Sequence, residues 1–163
     1  MNHIDFRILD PPVAGWRKPL GIFVDGRSLL DIVAEAEASF ADPAGGGDAY
    51  YWLPAQYVLP PSRHLWGEPF QACGWPVEGV ALLGCPCGVP DCWSFTTRVA
   101  MAGGRVGWLG FRQYRREHWR YDALGGFVFA ADQYEAALSR AAAAYFAEPG
   151  VRGGGEWLVS GAS

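Results

Sequence analysis

Lysine is almost absent from this chain: Lys18 stands alone against twelve arginines. The net charge is −4, so no broad cationic field exists to gather nucleic acid or an anionic membrane. Long apolar runs are missing too. No segment approaches the roughly 18 apolar residues that a membrane helix needs. The opening "MNHIDFRILDPP" lacks the basic-then-apolar order of a secretory leader. The location expected from these absences is cytoplasmic, with no membrane partner. Complete catalytic signatures are lacking as well. There is no G-x-S-x-G and no H-E-x-x-H, and "GGGD" has neither a strand before it nor the Lys-Ser/Thr of a phosphate loop after it.

What is present is apolar and aromatic. Half of the 163 residues are hydrophobic and 15% are aromatic, including eight tryptophans. A chain of this length can bury a core without disulfides or metal, and this content demands one. The expectation is a single α+β domain over residues 1–150, followed by a glycine-rich tail at 151–163.

Periodicity supplies the elements. "HIDFRIL" places Ile4, Phe6 and Ile8 on one side of a strand. "PLGIFVDG" reads as a second strand closed by the Asp25-Gly26 turn. "SLLDIVAEAEASF" has an apolar helical face of Leu29, Ile32, Val33, Ala36 and Phe40, with Ser28 as cap and Asp31 in the capping-box position. The proline-rich stretch from Tyr50 to Phe70 is expected to be extended or irregular, with one helical turn after Ser62. "GVALLG" fits a buried strand. "WSFTTRVAM" and "VGWLGFR" flank Gly103-Gly104, which predicts a long hairpin over about 93–112. That turn sets Met101 opposite Val106, Val99 opposite Trp108, Arg98 opposite Leu109 and Thr96 opposite Phe111. Trp93, Phe95, Val99, Met101, Val106 and Trp108 then share the core face. A last helix is expected from Asp132, with Glu135 completing a capping box, to Ala147. The fold class is therefore α+β: a mostly antiparallel sheet, a long hairpin and two main helices near 28–40 and 132–147.

The densest chemistry is "GCPCGVPDCW". Cys85, Cys87 and Cys92 follow one strand and precede the hairpin, on a path tightened by Pro86, Gly88 and Pro90. Three thiols so confined suit a structural zinc, with Cys73 as fourth ligand and His64 or His118 as substitutes. The C-x-C-x₄-C spacing is not the repeated C-x₂₋₄-C of common zinc knuckles. A redox pair, Cys87 with Cys92, is the alternative chemistry, and buried small residues in a tight turn are the plainest reading.

A second cluster is "FRQYRREHWRY". It interleaves Arg112, Arg115, Arg116 and Arg120 with Phe111, Tyr114, Trp119 and Tyr121. Arginine beside aromatic rings suits a protein partner, and less well a nucleic acid in so acidic a chain; the plainer reading is a solvated strand end whose aromatics reach back to the core beneath the arginine stems. His118 and His64 have nearby carboxylates, Glu117, Asp122 and Glu68, but no evident catalytic pairing. Asp31 and Glu35 fall on one side of their helix, with Asp25 just before it. Such pairs usually form a polar face.

The succession "LLGCPCG", "CW", "VGWLGFRQ", "FVFAADQYEAAL" resembles a family of uncharacterised bacterial proteins with a GCxCG turn, a following CW, a W-x-x-F strand and an F-x-F segment leading to Y-x-x-A-L. The likeness runs from about Val80 to Leu138. It implies one domain and an important turn, and it supplies no catalytic residues; Asp91 stands where glycine is expected. The function expected is a small non-catalytic interaction protein that binds another protein, with zinc as a candidate cofactor. The alternative is a metal- or thiol-dependent enzyme built on Cys85, Cys87 and Cys92.

Overall fold

Alternation makes the first hairpin. Ile4 and Phe6 are buried on β1 (Ile4–Ile8), and Leu20, Ile22 and Val24 on β2 (Leu20–Val24). The two pair antiparallel, with Phe6 opposite Ile22. Asp25 and Gly26 both have positive φ, the conformation of a two-residue hairpin turn, and lead to β3 (Arg27–Ser28). Helix α1 (Leu29–Glu37) follows directly. A computed structural model describes residues 1–39, 50–70, 79–85, 94–113, 115–116 and 118–148. The expected tail at 151–163 lies outside them.

The second sheet is β4 (Tyr51–Trp52), β5 (Val80–Gly84), β6 (Phe95–Ala102), β7 (Arg105–Gln113) and β8 (Phe127–Ala130), paired in that order and antiparallel throughout. Helix α2 (Ala55–Val58) and a 3₁₀ turn at His64–Trp66 occupy the proline-rich stretch, and α3 (Ala131–Phe146) ends the described chain. The described residues thus form an α+β fold of eight strands and three helices.

Two single bridges curl these sheets toward a ring. Asn2 bridges Phe129 in parallel, with its N–H on the Val128 carbonyl at 2.7 Å. Pro19 bridges Pro54, where the Leu20 N–H meets the Leu53 carbonyl at 2.9 Å. Both edges of the five-stranded sheet are therefore joined to the β1–β2 pair. The Gln133 side chain on α3 acts as a further strand partner. Its Nε2 donates to the Ile4 carbonyl at 2.7 Å and its Oε1 accepts the Ile4 N–H at 3.1 Å. This satisfies edge groups that would otherwise be open.

The core gathers inside the curl. Trp108 is fully buried, and its indole N–H donates to the Tyr134 hydroxyl at 3.1 Å. That hydroxyl donates to the Leu65 carbonyl at 2.5 Å. One tyrosine from α3 thus ties β7 to the 3₁₀ turn, amid the rings of Phe6, Trp66 and Phe129. Aromatic side chains contribute the most when buried with their polar atom satisfied.

Several expectations need correction. Ser28 ends β3 and makes no side-chain cap bond, so the Ser28–Asp31 capping box does not form. Helix α3 starts at Ala131, and among the described residues the Asp132 carboxylate accepts only the N–H of Gln133, at 2.8 Å. The hairpin turn is as expected, with φ of 57° and 72° at Gly103 and Gly104. The register holds from Met101–Val106 through Arg98–Leu109, then slips, because Thr96 faces Arg112 and not Phe111. Gly110, at φ +63°, is the extra residue of a β-bulge. Met101 shares the inward side with Val106 but is 53% exposed, since the hairpin tip runs past the core.

Candidate functional site

One end of the five-stranded sheet collects most of the chemistry. Tyr51 faces Gly84, Leu83 faces Phe95, and Phe95 faces Gln113. The start of β4, the end of β5, the start of β6 and the end of β7 are therefore neighbours. The cysteine turn leaves and returns here, and the arginine-rich segment departs from Gln113. Cys85 is half-buried against the core. Cys73, Cys87 and Cys92, and with them the proposed zinc set, lie outside the described residues. Among the described residues no three His, Cys, Asp or Glu side chains gather as a metal site would require.

At this same end sits a buried carboxylate that sequence reasoning missed. Glu37, the last residue of α1, is 1% exposed. Its Oε2 accepts the Tyr50 hydroxyl at 2.8 Å and the Tyr121 hydroxyl at 2.7 Å. Its Oε1 has no partner among the described residues, and neither has the buried Nε2 of Gln113. Gln113 Oε1 accepts the Arg115 N–H at 2.5 Å. Burial pushes the Glu37 carboxyl up, against the two tyrosine hydrogen bonds that favour its ionised form. Both phenols are also pushed up, chiefly by burial. The signal was in the spacing: Glu37 continues the Leu29, Val33 line at i+4 and i+8, on the apolar stripe.

Glu37→Gln tests the electrostatics of this cluster. A carboxyl whose folded pKa is raised keeps its proton in the native state after the unfolded chain has lost it. Its contribution to stability therefore falls as pH rises from the ordinary carboxyl range through the raised value. The Gln variant lacks that loss, so its stability relative to the parent should climb with pH across this window. Glu37→Leu removes the acceptor of both hydroxyls, at about 1 kcal/mol each or more, at every pH. Urea titrations from acid to neutral pH would check this; parallel curves for parent and Gln variant would refute it.

The other nominated residues scatter. His118 is exposed, whereas His64 is buried and held by two backbone groups. Arg112, Arg115 and Arg120 are exposed and Arg116 is half-buried. Trp119 is 4% exposed, so its ring packs in the core, with the Arg116 guanidinium 6.0 Å from its centroid. It forms no part of the surface. Asp31 is exposed and Glu35 pairs with Arg27, the polar helix face that the spacing suggested. Asp25 accepts the His3 N–H at 2.8 Å and the Asn2 side chain at 2.7 Å; these bonds hold its carboxyl below the usual range and anchor the N-terminus.

The outward side of β6–β8 has a different character. Register places Arg98 beside Leu109, Ala100 beside Gly107 and Val128, and Ala102 beside Arg105 and Ala130. Gly126 lies against Leu109. Ala100, Ala102, Arg98, Arg105 and Leu109 are exposed, and Gly107, Val128 and Ala130 half-buried. Among the described residues no helix covers this side, because α3 meets the sheet from within through Tyr134. The result is a flat floor of small side chains with one exposed leucine and arginines at its margins.

No family model, curated protein or solved structure matches the chain. Its chemistry has to be read from these residues themselves. Among the described residues, no helix is long and apolar enough to cross a membrane.

Proposed function

We propose that the protein is a small, non-catalytic interaction module of the cytoplasm that binds another protein on the outward side of β6–β8. The observation that carries this reading is the open floor of Ala100, Ala102, Gly107, Leu109 and Val128. A flat surface of this kind admits the close approach of a partner, and its apolar centre gains by losing water. Arg112 adds a further exposed cation near the end of β7, and Arg115 and Arg120 are exposed in the segment that follows.

The alternative, a metal- or thiol-dependent enzyme built on Cys85, Cys87 and Cys92, has one observation in its favour. The buried Glu37 group lies at the same end of the sheet, and perturbed carboxyls concentrate at active sites. Against it, Glu37 is closed off from solvent. A substrate cannot reach it without a rearrangement.

A photo-reactive phenylalanine analogue at position 100 tests the binding reading in the native cell. A covalent adduct with a second protein is expected there, and none from the same group at position 136, exposed on α3. Adducts at neither position, or equally at both, would remove the proposal.

A further inference from the structure

The geometry points to a definite partner chemistry for this face: we infer that it receives an acidic polypeptide surface, whose carboxylates seat on Arg98 and Arg105 around an apolar side chain placed on Leu109. The inference rests on the binding reading above and specifies it.

Every ionisable side chain on β6, β7 and β8 is an arginine: Arg98, Arg105 and Arg112. None of the three forms an ion pair among the described residues. Elsewhere among the described residues four cations find acids, Arg7 with Asp5, Lys18 with Glu148, Arg27 with Glu35 and Arg63 with Glu68, while the scattered Arg17, Arg120 and Arg140 do not. A chain of net charge −4 has acids to spare, yet among the described residues the strands of this face carry only cations without an ion pair. Complementary potential is what selects a partner and guides its approach.

The shape agrees. A Cβ added at Gly110 would come within 3.1 Å of the Arg98 Nε. The bulge glycine therefore leaves room for Arg98 to lie down along the sheet, its fork near the floor. Arg105 stands at the other margin, next to Ala102 and Ala130. Guanidinium groups so placed can each take a carboxylate through two parallel hydrogen bonds. A second copy of this chain, face to face, would bring like charges together, which argues against self-association. A nucleic acid would find arginine but, among the described residues of the floor, no exposed aromatic ring for base stacking.

The test uses the whole protein and a fluorescent peptide of alternating Glu and Ala with one central Leu. Saturable binding is expected, weakening as NaCl is raised from about 50 to about 300 mM. The double variant Arg98→Glu/Arg105→Glu should bind at least about tenfold more weakly, and Leu109→Asp similarly. Arg98→Lys/Arg105→Lys should fall between, since charge survives without the fork. Circular dichroism and thermal melts of each variant establish that the fold persists. The inference is overturned if the peptide does not bind, if charge reversal leaves binding unchanged, or if oligo-dT binds more tightly than the peptide. Photo-adducts at position 100 that persist in the charge-reversed variant would overturn the acidic-partner assignment and leave the docking face standing. Their loss from the parent protein would instead remove the docking face.

Discussion

Insertion of an alanine between Gly110 and Phe111 is expected to leave the chain without a single native state, whereas Gly110→Ala should fold and lose only about 1–2 kcal/mol. The difference lies in what the residue does for β7. Up to Leu109 the strand alternates in the ordinary way, with Val106 and Trp108 inward. Without an extra residue, Arg112 would be next inward after position 110, and Phe111 and Gln113 would face solvent. The bulge reverses that parity. Phe111 is 7% exposed, stacks on Phe95 at 5.4 Å and meets Phe127 at 5.5 Å; Gln113 is 1% exposed. An alanine inserted there would take the inward place of Phe111, turn Phe111 to solvent and carry Arg112 inward to the place of Gln113. Exposing a phenylalanine costs about 2–3 kcal/mol, and burying an unpaired guanidinium costs several more. Against a typical total stability of about 5–15 kcal/mol, that loss is decisive. In Gly110→Ala the register survives. The strain is one left-handed residue, and the nearest obstacle is the movable Arg98 side chain. Urea unfolding and near-ultraviolet circular dichroism of both variants provide the measurement. An insertion variant with a cooperative transition near that of the parent would refute this account of β7.

The same glycine shows where the sequence was legible. Strand periodicity, the two positive-φ turns and the hairpin register near its tip follow from local rules, and the structure keeps them. The bulge also left a local trace. The apolar pattern of "VGWLGFRQ" moves from even positions at Val106 and Trp108 to an odd one at Phe111, with an isolated glycine between. Glu37 had a similar trace, as an acid on an apolar stripe. The ring closures had none. Asn2 with Phe129 and Pro19 with Pro54 are single contacts between distant residues, and nothing in either neighbourhood announces the other. The outward floor of β6–β8 was invisible for a related reason. Alanine and glycine at strand positions carry no periodic signal, and only cross-strand register assembles them into a surface. Trp119 reversed its expected role because a ring beside arginines reads alike whether it faces solvent or the core.

Histidine 64 gives the second large effect, an acid limb in stability that a single substitution should remove. Its Nε2–H donates to the Ala81 carbonyl at 2.7 Å, and its Nδ1 accepts the Phe70 N–H at 3.1 Å. Both ring nitrogens are thus committed in one neutral tautomer, joining the 3₁₀ turn to β5 and to the segment that follows. A second proton would have to enter at Nδ1, against a backbone donor, in a site only 2% exposed. Burial accordingly lowers the imidazole from 6.5 to about 4, opposed in part by the Ala81 bond. The sign follows from proton binding. Between these values the unfolded chain holds a proton at this position and the folded one does not. The stability that depends on neutral His64 is complete above about pH 6.5 and drains away as pH falls toward 4, by roughly 3 kcal/mol in all. Glu37 acts in the opposite sense over the acidic part of the same range, so the clean comparison is made in the Glu37→Gln background. There, His64→Leu should cost about 2–3 kcal/mol at neutral pH, because it strands the Ala81 carbonyl and the Phe70 N–H. Its stability should then decline less steeply with acid, so that the two curves converge near pH 4. Curves that stay parallel from pH 7 to 4 would show that His64 takes up its proton as readily in the folded protein as in the unfolded one. The buried tautomer would then not be what holds this part of the fold.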